Sequence, residues 1–240
     1  MVERNRVKQQ NQMKPLEDPR LGDDLLWREL RVERFLHAVP ALFLDRDGVI
    51  IEEKKYIRNP DDVELLPGIP ELIRAARGLG MAVVEITNQA GIAHGYSDWF
   101  DFVRVEDRVT MLLAAAGVSV DAVLACPFHP QGQSSYNKSD HPWRKPNPGM
   151  LLEAGRLLNL ALPRSILVGD KDIDQQAARN AELAFGIHVL TGHGREHETR
   201  ARAVASENYP VHVVGDGRQA ASLLGQALDV PTSRWSRGSN

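Results

Sequence analysis

Asp45 and Asp47 stand two residues apart at the end of the apolar run Ala41-Leu42-Phe43-Leu44, and Gly48 follows them directly. The run reads as a buried strand of an α/β sheet, and ligands of such sheets bind beyond the carboxyl ends of the strands. Residues two apart leave a strand on the same side, so both carboxylates can face one metal ion and one substrate. Gly48 allows the backbone to turn away sharply. One carboxylate able to attack and a second able to move a proton is a pairing suited to displacement at phosphorus. The competing readings are a chance Asp-x-Asp-Gly and a calcium loop. A calcium loop needs further oxygen ligands and a closing Glu, which Ile50, Ile51 and Lys54 do not supply.

Three further segments point the same way. The strand-like run Met81 to Ile86 ends in Thr87-Asn88-Gln89-Ala90-Gly91, a cluster of hydroxyl, amides and glycine suited to holding a phosphate by hydrogen bonds. Arg144-Lys145-Pro146-Asn147-Pro148 sets two cations just before a helix that Pro148 can start. Ser165 to Gly169 is another buried-strand candidate, ending in Asp170-Lys171-Asp172-Ile173-Asp174. Acidic residues at a strand end suit a hard cation such as Mg²⁺.

The order Asp-x-Asp-Gly, strand-Thr-Asn-Gln, Arg-Lys-Pro, strand-Gly-Asp-x-x-x-Asp resembles the haloacid dehalogenase (HAD) superfamily of phosphatases. Within it, Phe43 to Gly48, Thr87 to Ala93, Cys126-Pro127, Arg144 to Met150 and Val168 to Lys171 are similar to the D-glycero-D-manno-heptose 1,7-bisphosphate 7-phosphatase subfamily and its relative, the histidinol-phosphate phosphatase domain. The resemblance runs over residues 40 to 228. It implies a Mg²⁺-dependent phosphomonoester hydrolase that removes the 7-phosphate through an aspartyl-phosphate. Asp45 would be the nucleophile and Asp47 the acid and base. The metal would be held by Asp45, the Asp47 main chain and Asp170. Thr87 and Lys145 would hold the transferring phosphoryl oxygens, with Asp174 orienting Lys145 or a metal-bound water. The substrate role falls on Glu53, Lys54, Lys55, Tyr56, Asn88, Gln89, Ala90, Arg144 and Lys171. The planar fork of Arg144 suits a second, non-reacting phosphate.

The motifs for the chemistry do not choose among substrates, because the reacting group is the same and specificity lies in loops. Another sugar phosphate or histidinol phosphate is therefore the alternative substrate. A phosphate-binding regulatory module is the non-enzymatic alternative, and loss of a reacting residue would mark it; Asp45, Asp47, Lys145 and Asp170 are all present. A cysteine-dependent phosphatase needs a phosphate-cradling loop closed by Arg, which Cys126-Pro127-Phe128-His129-Pro130 lacks.

One segment departs from the subfamily. Its pattern places a structural zinc in the loop before Arg-Lys-Pro, through Cys-x-His and a later Cys-x-Cys. The matching positions here are Cys126, Phe128, His141 and Trp143. A closed tetrahedral site needs four good donors, and a phenyl ring and an indole supply none; His129 with Cys126 and His141 would still leave an open position. Structural Zn²⁺ is thus not expected, and Phe128 and Trp143 are expected to bury together and pin the loop that presents Arg144 and Lys145.

The elements that must position these residues follow from periodicity. Strands are predicted at 41–44, 81–86, 122–125, 165–169, 185–190 and 211–214, and helices near 69–79, 98–116, 148–159, 174–182 and 217–228. Their alternation predicts a Rossmann-like parallel sheet with helices on both faces, the HAD fold. The short stretches between Gly48 and Pro67 and between Ala90 and Trp143 leave room for loops but not for a large cap domain. Residues 1–37 read as an N-terminal extension, partly helical because Leu25, Leu26, Leu30, Phe35 and Leu36 have rough helical spacing after Asp23 and Asp24. Residues 38–230 form the phosphatase domain and 231–240 a polar, disordered tail.

The 240 residues are 42% hydrophobic, enough for a sizeable core, and the net charge of −3 comes from interspersed charges of both signs. That argues against nucleic acid as a partner and for a small sugar phosphate. A single cysteine, a polar N-terminus and the lack of any apolar stretch of membrane length place the expected protein in the cytoplasm, off the membrane, as a monomer or weak dimer.

Overall fold

A computed structural model of the chain describes residues 18–228. Its centre is a seven-stranded sheet of β1 (Trp27–Leu30), β2 (Ala41–Leu44), β3 (Ala82–Asn88), β4 (Ala122–Cys126), β5 (Ile166–Gly169), β6 (Phe185–Val189) and β7 (Val211–Val214), in spatial order β1-β4-β3-β2-β5-β6-β7. Every pairing is parallel except that of β1 with β4. β2 and β5 coincide with continuous apolar runs, and the reason is visible in the burial of β2. Leu42 and Leu44 enter the core on one face, Ala41 and Phe43 the core on the other. A strand covered on both faces has no solvent side on which to place polar residues.

Helices α1 (Ile69–Gly78), α3 (Trp99–Ala115) and α7 (Gly217–Leu228) cover the Leu42 face, and α4 (Gly149–Leu158) and α5 (Asp172–Asn180) the Phe43 face. Two more helices, α2 (Ala90–His94) and α6 (Gly194–Ala203), are not anticipated by the sequence. α6 buries only Gly194 and Ala201, so it carries no apolar stripe to read. The expected Rossmann-like layers and the absence of a large cap hold: the chain between Gly48 and Pro67 is a loop with one 3₁₀ turn, Pro60–Asp62, pinned by buried Ile57 and Val63. Among the described residues no helix is long and apolar enough to cross a membrane.

The N-terminal segment corrects the sequence reading. Residues 25–36 contain no helix; they add β1 antiparallel to β4, with Trp27 opposite Ala125 and Leu30 opposite Ala122. Residues 27–30 are therefore part of the sheet and not outside it. The decisive side chain is Trp27, fully buried and stacked on Trp99 at 5.7 Å, with Phe102 edge-on at 5.3 Å. Each such aromatic pair adds about 0.5–1.5 kcal/mol beyond burial, against helix propensities that differ by at most about 0.7 kcal/mol per ordinary residue. Period two also serves the sheet, since Leu26 enters the Phe43-side core and Trp27 the other. Leu36, read as part of an apolar stripe, is 94% exposed. The expected tail at 231–240 and most of the polar N-terminus lie outside the described residues.

Candidate active site

The carboxyl ends of β2, β3 and β5 lie side by side at the centre of the sheet, where the strand order reverses, and the site is built there. Asp45 extends β2 by donating its N–H to the Val168 carbonyl (3.1 Å), which fixes its backbone against β5. Gly48 turns the chain with φ +90°, and a Cβ there would stand 2.3 Å from Asp170 Oδ2. A Cβ on Gly192 would meet the same oxygen at 2.4 Å. Two glycines thus make room for the Asp170 carboxylate, which Thr191 and His193 help frame. Thr191 Oγ1 donates to the Gly48 carbonyl (2.6 Å), and the His193 N–H donates to Asp170 Oδ2 (2.8 Å).

At the floor, Lys145 Nζ lies 2.8 Å from Asp45 Oδ1 and 2.7 Å from Asp174 Oδ1, and donates to the Ile86 carbonyl at 3.1 Å. Burial works against the ammonium, but Asp174 and Asp45 outweigh it and hold Lys145 charged above the ordinary lysine range. Asp174 sits over Gly169, where a Cβ would approach it to 2.3 Å, and accepts the Lys171 N–H at 2.9 Å. Asp174 therefore orients Lys145 from behind.

Asp170 is fully buried, and its Oδ1 accepts no hydrogen bond. Burial and the charge of Asp45 push its carboxyl up to about 8, with Lys171 pulling the other way. Oxygens of Asp45, Asp170 and Asp174 lie within 4.8 Å of one another. With Asp174 occupied by Lys145 and the Lys171 N–H, the oxygens left facing each other are those of Asp45 and Asp170. Buried, repelling and all-oxygen, this donor set fits a hard divalent cation such as Mg²⁺.

Asp47 faces the same cleft. Its carboxylate is gripped by Arg46, through Nη2 at 3.0 and 3.1 Å and Nε at 3.3 Å, and by Gln89 Nε2 at 3.0 Å. The Gln89 amide also donates to Thr87 Oγ1 (2.8 Å), which leaves the buried threonine hydroxyl its own hydrogen to donate. Asn88, expected to bind substrate, is engaged elsewhere: both ends of its amide hold the main chain of Lys145.

The cleft above, about 680 Å³, is lined by Asp45, Asp47, Glu53 to Tyr56, Thr87 to Ala90, Arg144, Lys145, Lys171 and Asp174, so the sequence-predicted residues converge. Asp170 lies just beneath. Their availability differs. Lys54 folds back onto the Asp62 carbonyl at 2.8 Å and onto Glu64, so its ammonium serves the loop. Glu53 lies 3.6 Å from Lys171 Nζ and 3.7 Å from His193 Nε2, bridging the rim. Lys55 and Tyr56 both take left-handed conformations, φ +41° and +59°, and line the cleft, the Tyr56 ring lying 4.9 Å from that of Tyr96. Arg144 donates Nη1 to the Phe128 carbonyl (2.9 Å), and burial holds its guanidinium below the usual arginine range. No carboxylate pairs with it among the described residues.

Sequence reasoning missed Arg46, Gly192 and the pocket-facing side of His193. Only Arg46 had a readable signal, a charged residue flanked by two functional carboxylates at the end of a buried strand. The 126–143 loop behaves as expected in its packing. Phe128 and Trp143 are buried in one core; Phe128 stacks on His141 at 4.1 Å, and Arg28 lies over Trp143 at 4.4 Å. Burial pushes the Cys126 thiol up to about 12, far from a reactive thiolate. His129 turns instead toward His94, 4.5 Å between rings.

Comparison with known proteins agrees with this geometry. The HAD-hydrolase-like family model matches residues 142–219. A D-glycero-beta-D-manno-heptose-1,7-bisphosphate 7-phosphatase of Mesorhizobium japonicum is 50% identical over 148 residues, covering 62% of this chain and 68% of that protein. A D-glycero-alpha-D-manno-heptose-1,7-bisphosphate 7-phosphatase of Burkholderia mallei is 39% identical over 185 residues, 76% of this chain and 98% of that one. The crystal structure of D,D-heptose 1,7-bisphosphate phosphatase from B. bronchiseptica, complexed with magnesium and phosphate, superposes with a TM-score of 0.67 at 31% identity, over 79% of this chain and 99% of that one. With its strand-end carboxylates, its buried lysine and relatives matched over most of their own length, the chain belongs to the heptose bisphosphate phosphatase family of HAD-like hydrolases.

Proposed function

We propose that the chain is a Mg²⁺-dependent phosphomonoester hydrolase that removes the 7-phosphate of D-glycero-D-manno-heptose 1,7-bisphosphate through an aspartyl-phosphate on Asp45. The observation that carries this is the pairing of Asp45 with Lys145 beside Oδ1 of buried Asp170, which accepts no hydrogen bond and has only Lys171 Nζ near it, at 3.7 Å. One carboxylate oxygen is held by a fixed cation, and the other side of the site offers oxygens to a second one. Mg²⁺ held by Asp45 and Asp170 would neutralise the repulsion between an anionic nucleophile and an anionic ester.

Asp45 attacks phosphorus, and the sugar oxygen departs with a proton from Asp47. Water then cleaves the acyl phosphate, giving its proton back to Asp47. Lys145 and the Thr87 hydroxyl hold the phosphoryl oxygens while charge shifts among them. Arg144 turns its free donors on the 1-phosphate, and Glu53, Lys55, Tyr56 and Lys171 meet the sugar at the rim, with Gln89 and Ala90 walling the opposite side. Asn88 acts through Lys145, and Lys54 through the shape of the loop.

The heptose assignment is supported by the names of the relatives, which include both anomers, and by a cleft roomy enough for a bisphosphorylated sugar. A phosphate-release panel of both heptose 1,7-bisphosphate anomers, hexose bisphosphates and histidinol phosphate tests it, with a heptose bisphosphate expected to lead in kcat/KM. Asp45→Asn, nearly equal in volume, is expected to fold and lose turnover. Preference for histidinol phosphate would overturn the substrate, and turnover by folded Asp45→Asn would overturn the mechanism.

A further inference from the structure

Arg46 lies between the two reacting carboxylates in sequence, yet its side chain is 1% exposed, among the largest fully buried in the protein. A buried guanidinium is expensive unless its charge is matched on every side. Here three acids and a ring lie around it, and Nε and Nη2 are hydrogen-bonded while Nη1 is not. In front stands the Asp47 carboxylate, both oxygens of which take Arg46 donors. The ring of Phe102 lies 5.4 Å from the guanidinium carbon. Glu85 on β3 and Glu106 on α3, both fully desolvated, also lie close enough to stabilise its charge.

Of these two acids, Glu106 is itself held by an arginine. Arg31, next to β1, donates Nη2 to Glu106 Oε1 at 3.1 Å and Nε to Glu29 at 2.7 Å. Arg31, Glu106, Glu85 and Arg46 therefore form a row from the N-terminal strand through the core to the cleft, in which burial raises both glutamyl carboxyls and Glu106 raises that of Glu85 further. Fold stability alone does not call for the set, because apolar groups of similar volume at 46, 85 and 106 together would avoid the desolvation cost. What an apolar group would not supply is a second grip on Asp47. Without Arg46, Gln89 reaches only Oδ2, and Oδ1 loses its hydrogen bonds.

We propose that Arg46 is a positioning residue: its fork, backed by Glu85 and Glu106, fixes the plane of the Asp47 carboxylate for proton transfer to the departing sugar oxygen. This rests on the reading of Asp47 as the acid. Orientation of a proton donor matters when the leaving group is poor and little when it is good, whereas a structural defect harms both cases alike.

The test is kcat/KM, which reports events up to formation of the aspartyl-phosphate, for Arg46→Met and Arg46→Lys on heptose 1,7-bisphosphate and on p-nitrophenyl phosphate, with Asp47→Asn in parallel. Arg46→Met is expected to lose about 30-fold or more on the sugar ester and no more than about threefold on the aryl ester. Arg46→Lys, which keeps the buried charge but not the fork, is expected to fall between, and it decides the matter if the methionine variant does not fold. Equal losses on the two esters, or a wild-type ratio in Arg46→Lys, would overturn the proposal. Asp47→Asn separates the two ideas: leaving-group dependence there but not in the Arg46 variants removes only Arg46, and its absence from Asp47→Asn removes the acid itself.

Discussion

Asn88 grips Lys145 by its main chain at both ends of one amide: Nδ2 donates to the Lys145 carbonyl at 3.0 Å, and Oδ1 accepts the Lys145 N–H at 3.1 Å. The residue after Thr87 on β3 thus sets where the loop before α4 delivers its ammonium. Asn88→Ala is expected to fold, since Asn88 is only part-buried, and to lower kcat by about 10- to 100-fold, because a shift of about 1 Å at a charge-stabilising group costs that much. KM should move less than kcat. Steady-state kinetics beside circular dichroism check this, and an unchanged kcat would mean that Lys145 is held by Asp45 and Asp174 alone.

Asp170 gives a prediction about metal. Its carboxyl is raised by burial and by Asp45, so the site without a cation stores repulsion. Asp170→Asn removes the charge at nearly constant volume. Without Mg²⁺ the variant is expected to melt a few degrees above the unsubstituted protein, as about 1 kcal/mol shifts Tm by about 2–4 °C in a chain of this size. Added Mg²⁺ should raise the melting temperature of the unsubstituted protein by mass action and leave the variant unmoved. Thermal scans with and without Mg²⁺ decide it; an equal rise in both proteins would place the cation elsewhere.

The sequence made the centre of the site legible and its surroundings less so, for a physical reason. β2, β3 and β5 are buried on both faces and end in polar clusters, so a run of apolar residues followed by Asp45, Thr87 or Asp170 marks both the element and the site at once. Arg144 and Lys145 adjoin a proline-marked helix start, which has its own local signal. Neither Asn88 as a clamp nor Arg46 as a buried fork could be read that way. Their roles depend on partners 57 residues away and on acids from β3 and α3 that only the folded sheet brings near. β1 was misread because its evidence, the Trp27–Trp99 stack, is likewise long-range.

Arg144 carries a specificity prediction. One guanidinium nitrogen is fixed on the Phe128 carbonyl, and no carboxylate pairs with the fork among the described residues, so its remaining donors are available to an anion in the cleft. Arg144→Ala is expected to reduce kcat/KM for a sugar bisphosphate by about 100-fold, in line with about 1.5–3 kcal/mol for a charged hydrogen bond. The same sugar carrying only the reacting phosphate should lose less than about fivefold. Equal losses on both substrates would assign Arg144 to the reacting phosphate or to the loop.

The last prediction concerns the loop that presents those two cations. Where the subfamily pattern calls for zinc ligands, this chain has Phe128 stacked flat on His141 (3° between planes) and Trp143 buried beneath the Arg28 guanidinium. The His141 Nδ1 that a metal would use accepts the Trp143 N–H at 3.1 Å and lies 3.9 Å from Cys126 Sγ. The ring nitrogen therefore closes the loop as a hydrogen-bond acceptor, and apolar packing does the rest. Protein purified without added metal is expected to contain far less than one equivalent of zinc by elemental analysis, and chelation should leave its melting temperature unchanged. Phe128→Ala and Trp143→Ala should each cost about 3–5 kcal/mol, as expected for buried aromatics. Activity should fall with them, because the Phe128 carbonyl that anchors Arg144 moves with the ring. Near-stoichiometric zinc, lost together with folding on chelation, would show that Cys126 and His141 still serve a metal and that two donors from elsewhere complete the site.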